Sequence, residues 1–245
     1  MEALVWIHRW GWSTPTLLEM LTGKLRSGLG NRLVKNGLLI KTPMPAGGIN
    51  STPSYVLTLS EMGLDETAPL AEIEFNYRLN SKIKTQQIIH DELIQRITLT
   101  MLKKGRIYEY KTPNMLFTPN DFDTKIPDAL WYRENKISGG DEIVSVELEL
   151  TPKWGKDLDN TIERTIEFFK YGCDKVIYIF KSEKTLERYK AAFKEGATYT
   201  KWEKENGRNG KWLKIGEETI SAEDAAKVKF EMLKPWMTNP SIEVT

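Results

Sequence analysis

The sequence predicts an α/β protein with a mixed-sheet core, preceded by a small domain of helices and one hairpin. Residues 143–153 alternate strictly between aliphatic and polar side chains, which is the period of a β-strand. Residues 176–180 form a continuous apolar run typical of a buried strand. A helical pattern at 157–171 separates the two, as a crossover between parallel strands requires. Three separate stretches between residues 3 and 36 instead show helical spacing.

Composition narrows the class of protein but names no partner. A chain of 245 residues can form one large domain or two small ones. The formal net charge is +1, so overall charge does not indicate nucleic acid or membrane. Cys173 is the single cysteine, which excludes an internal disulfide and suits a reducing compartment. No apolar run reaches membrane-spanning length and no secretory pattern opens the chain, so we expect a cytoplasmic protein without membrane insertion.

The first part of the chain predicts three helices and a hairpin. The helices are expected at 3–10, after a Ser13 cap, and at 24–36, where Gly37 ends the third. Strands follow at 38–40 and 55–59. The expected apolar contacts are Trp6, Trp10, Trp12, Leu17, Leu18 and Leu21, and on the third helix Leu25, Leu29, Leu33 and Val34. This order is typical of a winged-helix domain, which we assign to residues 1–78, with a second domain over 79–245.

Local charge predicts that the first domain binds DNA. No Asp or Glu occurs between Met20 and Ser60, so the charged side chains of this stretch are all basic. The electrostatic potential around them is therefore positive and attracts phosphate. Arg and Asn can read base edges while Lys contacts phosphates. The candidate contacts are Lys24, Arg26, Ser27, Asn31, Arg32, Lys35 and Lys41. The alternative is a solvated helix face on a domain that binds protein.

The second domain begins with a predicted helix at 85–104 that carries His90 and Glu92. Strands are expected at 106–110, 126–132 and 143–153, then a helix at 157–171, a strand at 175–180 and a helix at 185–193. The tail predicts a hairpin from 197–202 and 211–215, and a helix at 222–233.

Acidic side chains on these strands predict a metal site. Glu147, Glu149 and Lys153 share one parity of the alternating strand, and neighbouring carboxylates repel unless a cation or proton lies between them. Asp128, on the preceding predicted strand, could lie opposite Glu147 or Glu149. Converging carboxylates suit Mg²⁺ or Mn²⁺, and a nearby lysine suits phosphodiester cleavage. The alternative is an ordinary solvated strand face.

The residues Pro127-Asp128, Glu147-x-Glu149 and Lys153 resemble the PD-(D/E)xK signature of restriction-endonuclease-like nucleases. That resemblance implies a core of helix, three strands, helix and strand. The signature usually ends with an acidic residue followed two positions later by a lysine, whereas here a second glutamate stands two positions after Glu147. Either Glu149 occupies the lysine position or the lysine has moved to Lys153, and both remain open.

The whole arrangement resembles MobC-type relaxases of mobilisable plasmids. This resemblance adds His90-x-Glu92 and the strand V-E-L-E-L-T-x-K to the motifs above. It implies a metal-dependent enzyme that nicks one strand at a plasmid transfer origin, with an accessory mobilisation protein and a coupling protein as partners. Asp128, Glu147 and Glu149 would hold Mg²⁺ or Mn²⁺, and Lys153 would stabilise the phosphate. His90 or Glu92 would orient water or complete the metal shell.

Two other functions fit the same sequence. One is a DNA-binding regulator of plasmid replication or transcription with an inactive nuclease-like domain. The other is a transposon-end or restriction nuclease that cuts both strands. The presence of Asp128, Glu147, Glu149 and Lys153 together favours an enzyme over the regulator.

Overall fold

A computed structural model describes residues 1–45, 47–48, 52–70, 87–117, 126–135, 139–205 and 210–242. The elements of the first half are α1 (Glu2–Trp10), α2 (Pro15–Thr22), α3 (Leu29–Lys35), β1 (Leu39–Pro43), β2 (Tyr55–Leu59), α4 (Glu61–Thr67), a 3₁₀ turn (Ala68–Leu70) and α5 (Ile88–Lys103). Those of the second half are β3 (Glu109–Lys111), α6 (Pro113–Leu116), β4 (Ala129–Glu134), β5 (Asp141–Glu149), α7 (Lys156–Lys170), β6 (Lys175–Phe180), α8 (Glu183–Ala192), β7 (Thr198–Lys204), β8 (Trp212–Thr219), α9 (Ala222–Lys227), β9 (Val228–Met232) and α10 (Pro235–Thr238).

The chain forms two compact units. The first comprises Met1–Gly105, Lys111–Ile126 and Trp236–Thr245, and the second Arg106–Tyr110 and Pro127–Pro235. Helix α5 therefore belongs to the first unit. The domain boundary expected between residues 78 and 79 lies outside the described residues and stays a prediction. No helix among the described segments has the length and apolar character needed to cross a bilayer.

In the first unit, aromatic side chains of α1 pack against α5 and beside β2. The Trp6 indole Nε1 donates to Gln95 Oε1 of α5 at 3.0 Å, and the Trp6 and Trp10 rings lie 5.8 Å apart. Trp6, Trp10 and Trp12 are all buried, as expected of core anchors. Strands β1 and β2 pair antiparallel, from Leu39↔Leu59 to Pro43↔Tyr55.

Two sequence expectations about this unit are wrong. Thr14, not Ser13, caps α2, since its hydroxyl accepts from the Leu17 N–H at 3.3 Å. The third helix begins at Leu29 rather than at residue 24. Arg26 has a positive φ of 53° and Leu25 is 78% exposed, so Leu25 does not join an apolar stripe. The buried residue of α3 is Gly30, where a Cβ would come within 2.8 Å of Leu57 Cδ1.

The second unit confirms the α/β prediction with a five-stranded mixed sheet in the order β3-β4-β5-β6-β9. Strand β4 runs antiparallel to β5, while β5, β6 and β9 are parallel. Helix α7 connects β5 to β6. Strands β7 and β8 form a separate antiparallel hairpin. It is tied to α7 by the Trp202 indole, which donates to Asp159 Oδ2 at 2.9 Å.

The predicted helix at 222–233 is only half right. Residues 222–227 are helical, but Val228–Met232 is the edge strand β9. Val228 is buried and Phe230 and Met232 are half-buried, whereas Lys229 and Glu231 are exposed. This alternation is the period of a strand, and pairing with β6 satisfies its backbone on one edge.

Candidate nuclease site

The candidate site lies on β5, the middle strand of the sheet. Its residues alternate as predicted, but both faces are covered: Ser145, Glu147 and Glu149 are buried, as are Val144 and Val146. Glu147 is 3% exposed and Glu149 6%. The alternative of a solvated strand face is therefore wrong. Both carboxylates therefore lie in the protein interior. A negative charge there costs free energy unless a cation pairs with it or a proton neutralises it.

An aromatic cluster covers the glutamates. In the parallel register Glu147 lies beside Tyr178 and Glu149 beside Phe180, so these four side chains share one face of the sheet. Tyr189 of α8 packs on that face, with its ring 5.3 Å from Tyr178 and 4.9 Å from Phe180. The α7–α8 layer therefore shields the acidic positions from water.

Tyrosine hydroxyls face the two carboxylates from inside the core. Burial, together with the neighbouring Glu147 carboxylate, raises the pKa of Tyr178 well above its usual value. Burial, together with Glu149, likewise raises the pKa of Tyr189. The Tyr178 hydroxyl lies 2.6 Å from Thr165 Oγ1 of α7. Both tyrosine hydroxyls are therefore protonated at physiological pH.

Asp128 lies just before β4, one residue outside the strand on which it was expected. Its backbone N–H donates to the Val146 carbonyl at 3.1 Å, and its Oδ2 accepts from the Leu148 N–H at 2.8 Å. These two contacts fall on either side of Glu147. The prediction that neighbouring strands place Asp128 opposite Glu147 or Glu149 thus describes the observed position, with Glu147 as the neighbour.

Lys153 lies four residues beyond Glu149, after the end of β5. Its Nζ forms an ion pair with Glu149 Oε1, and its side chain is 34% exposed. The lysine is therefore held at the surface end of the acidic face. Of the two motif alternatives, the one with Lys153 as the displaced lysine places the ammonium beside an acid of the site.

No protein-family model, curated protein or solved structure matches the chain. Its function must be inferred from its own side chains.

The carboxylates fit a divalent metal in donor chemistry, because hard oxygen ligands suit Mg²⁺ and Mn²⁺. Within the part of the chain that the structure describes, however, no three His, Cys, Asp or Glu side chains lie close enough together to hold a metal ion between them. Asp128 is turned toward the Leu148 N–H and Glu149 toward Lys153. The metal site stays a prediction.

His90 and Glu92 lie on α5 and have partners within the first unit. The His90 ring Nδ1 is 3.0 Å from Asp91 Oδ1. Glu92 Oε1 accepts from Arg96 Nη2 at 2.7 Å and from the Thr14 hydroxyl at 3.2 Å. These contacts give Glu92 a structural task, joining α5 to the cap of α2. A role for either residue in cleavage stays a prediction.

The expected DNA contacts are surface residues of the first unit. Ser27 is half-buried, and the exposed ones are Lys24, Arg26, Asn31, Arg32, Lys35 and Lys41. Arg32 Nη1 donates to the Ser27 carbonyl at 2.7 Å, and the Lys41 Nζ lies 3.8 Å from the Tyr55 ring centroid. Arg32 therefore also shapes the turn before α3.

Sequence reasoning missed Tyr189, which lies near Glu149, and the stacked pair of Arg188 and Trp154. Trp154 directly follows Lys153, so its position in the chain was a usable signal. Arg188 and Tyr189 come from α8, and no local pattern indicates that this helix covers β5.

Proposed function

We propose that the chain is a metal-dependent DNA endonuclease whose active site is built on β5. The observation that carries this proposal is the burial of Glu147 and Glu149 on one face of the central strand, with Asp128 fixed beside Glu147 and Lys153 paired to Glu149. Burying two acids costs stability that an ordinary core would recover with apolar side chains. Acids retained at such cost are typical of functional sites.

The order of elements supports a restriction-endonuclease-like core. Helix α5, which belongs to the first unit, is followed along the chain by β3, the short helix α6, β4, β5, helix α7 and β6, so the order helix, three strands, helix and strand occurs with α6 inserted after the first strand. The sheet neighbours β3-β4-β5-β6 and the parallel β5–β6 pair fit the same plan. In the first unit, three helices followed by an antiparallel hairpin support a winged-helix assignment.

Each residue has a distinct chemical role in this proposal. Asp128, Glu147 and Glu149 would hold Mg²⁺ or Mn²⁺, which when bound supplies phosphate polarisation and an activated water. Lys153 neutralises charge that develops on the cleaved phosphate. The Leu148 N–H orients Asp128, and the tyrosine-lined layer excludes water behind the glutamates.

The biological reaction we propose is nicking of one DNA strand at a plasmid transfer origin. This proposal rests on a resemblance to MobC-type relaxases. The resemblance is carried by the Pro127-Asp128 step and by the strand from Val146 to Lys153. The exposed basic residues around α3 would bind the origin. An accessory mobilisation protein and a coupling protein are the expected partners.

A Mn²⁺ titration by calorimetry tests the proposal without knowledge of the target sequence. We expect heat of binding in the wild type, with or without duplex DNA, and none in Asp128→Ala. Glu187→Gln is the matched control, because Glu187 is an exposed acid of the same unit that pairs with Lys190. Equal binding by wild type and Asp128→Ala would reject the assigned metal site.

One observation favours the regulator as a second candidate. Asp128 and Glu149 are each engaged by protein groups, the Leu148 N–H and the Lys153 ammonium, in an arrangement that a metal-free scaffold could also use. This candidate predicts DNA binding through the first unit and no Asp128-dependent metal binding under either condition.

A further inference from the structure

Two tryptophans of the second unit are exposed, and one of them directly follows Lys153 of the Glu149–Lys153 pair. Trp154 is 61% exposed and directly follows Lys153, while Trp212, at the start of β8, is 38% exposed. Tryptophan is highly buried on average, because exposing its ring to water forfeits a large hydrophobic gain. Two such rings on one surface call for an explanation other than stability.

Cationic side chains lie against both rings. The Arg188 guanidinium stacks over Trp154. The Lys156 Nζ is 4.3 Å from the centroid of the Trp212 ring, and the Lys204 Nζ is 5.7 Å from it. Cations near aromatic faces hold the rings in place and add positive potential around them.

One hydrogen-bond donor of the Arg188 side chain has no acceptor among the described residues. This donor, Nη1, is buried. A guanidinium with a free donor can pair with a phosphate oxygen once the side chain turns toward solvent, because its geometry suits phosphate. Arg188 therefore adds a cation beside Trp154 that is available to an anionic ligand.

Pairwise contacts and neighbouring chain positions connect these groups, starting from the proposed active site. Lys153 contacts Glu149, Trp154 is the next residue, and Lys156 reaches from the start of α7 to Trp212 on the hairpin. We call this the tryptophan surface. Its members are Lys153, Trp154, Lys156, Arg188, Lys204 and Trp212.

We propose that the tryptophan surface binds single-stranded DNA and leads it to the acidic face of β5. Unpaired bases would stack on the two rings while the cations contact the intervening phosphates. A duplex does not fit this surface, because its bases are already stacked on one another and offer only their edges to a protein. The inference rests on the proposed endonuclease and specifies its substrate as a locally unpaired strand.

Binding of labelled oligonucleotides to the full chain tests this inference. The probes are an oligothymidine of about 20 nucleotides, an abasic strand of equal charge and a duplex of the same length. We expect Trp154→Ala and Trp212→Ala each to weaken oligothymidine binding about tenfold and to leave abasic-strand and duplex binding unchanged. Arg188→Gln should weaken both single strands, because it removes a phosphate contact.

Tyr171→Ala is the matched control. Tyr171 is 79% exposed and lies at the opposite end of α7, so its loss should change no affinity. The inference is overturned if the tryptophan variants bind like Tyr171→Ala, or if they lose duplex and single-strand binding equally. Asp128→Ala separates it from the proposed function. If Asp128→Ala binds oligothymidine normally and the double variant Asp128→Ala/Trp154→Ala does not, the tryptophan surface binds single strands. That result stands whether or not the wild type cleaves DNA.

Discussion

The Asp128 carboxylate accepts a hydrogen bond from the Leu148 backbone N–H at 2.8 Å, so the side chain of the residue just before β4 is fixed to the last residues of β5, next to Glu149. This contact holds the acid beside Glu147 before any ligand arrives. It gives Asp128 two separable roles, one in the fold and one in the proposed chemistry.

Substitutions at Asp128 should separate those roles. Asp128→Asn keeps an oxygen for the Leu148 N–H but removes the charge, whereas Asp128→Ala removes both. We expect both variants to lose nicking of cognate DNA and to keep DNA binding. Asp128→Ala should also lower the free energy of unfolding by about 1–3 kcal/mol relative to Asp128→Asn. Nicking assays and urea denaturation measure the two effects, and nicking by Asp128→Asn at the wild-type rate would contradict the assigned role.

Replacing Lys153 should impair both cleavage and folding. Its side chain is 34% exposed, but its partner Glu149 is only 7% exposed, so loss of the lysine leaves a buried carboxylate unpaired and should lower the free energy of unfolding. Loss of the ammonium should lower kcat about 10²–10³-fold, because it removes a charge aimed at the transition state. Lys190→Ala, which breaks an exposed pair with Glu187, should leave single-turnover nicking unchanged. A Lys153→Ala enzyme as fast as Lys190→Ala would remove Lys153 from the mechanism.

Charge reversal around α3 should weaken DNA binding. Arg26→Glu and Lys35→Glu place negative charge among exposed cations, and we expect each to reduce affinity for duplex DNA and to lower the salt slope by about one. Arg32 should be tested separately, because its bond to the Ser27 carbonyl supports the turn before α3. Gel-shift titrations at several salt concentrations give both quantities. Wild-type slopes in both variants would indicate that this face does not contact phosphate.

Glu142 should make the second unit sensitive to acid. Burial alone would raise its pKa, but hydrogen bonds from Lys175 and Arg133 outweigh burial and lower the pKa below 4.5. A depressed folded-state pKa gives stability that is fully present above the unfolded-state value. That stability is lost as the pH falls below about 4.5 and through the folded-state pKa.

Urea denaturation between neutral and acidic pH measures this contribution. Glu142→Gln, which cannot titrate, should be less stable than the wild type at neutral pH and should lose less stability on acidification. Identical pH dependence in the two proteins would show that Glu142 is not the titrating group.

Local patterns predicted the central elements because their signals are strong. Each signal fits a single type of element: the alternation in β5 and the apolar run of β6 indicate strands, and the spacing in α7 indicates a helix. The burial of Glu147 and Glu149 could not be read in the same way. It depends on α8, which comes much later in the chain, and no local spacing tells which face that helix covers.

Two other errors have identifiable causes. The alanines of α9 favour a helix, so the strand alternation of Val228, Phe230 and Met232 directly after it was overlooked. In α3 the helical spacing of leucines suggested a buried stripe. A seven-residue helix instead packs through Gly30, which has no side chain to reveal the contact.

Strand β9 has a consequence for how the protein is made. Translation delivers β6, with its run of Val176 to Phe180, well before Val228–Met232 leaves the ribosome. During that interval one apolar strand edge is open to other nascent chains, and open edges of this kind nucleate aggregation. Deleting residues from 228 onward should therefore shift the protein from the supernatant to the pellet of a cell lysate. The same deletion would leave a single strand, β6, between the open edge and the strand that carries Glu147 and Glu149.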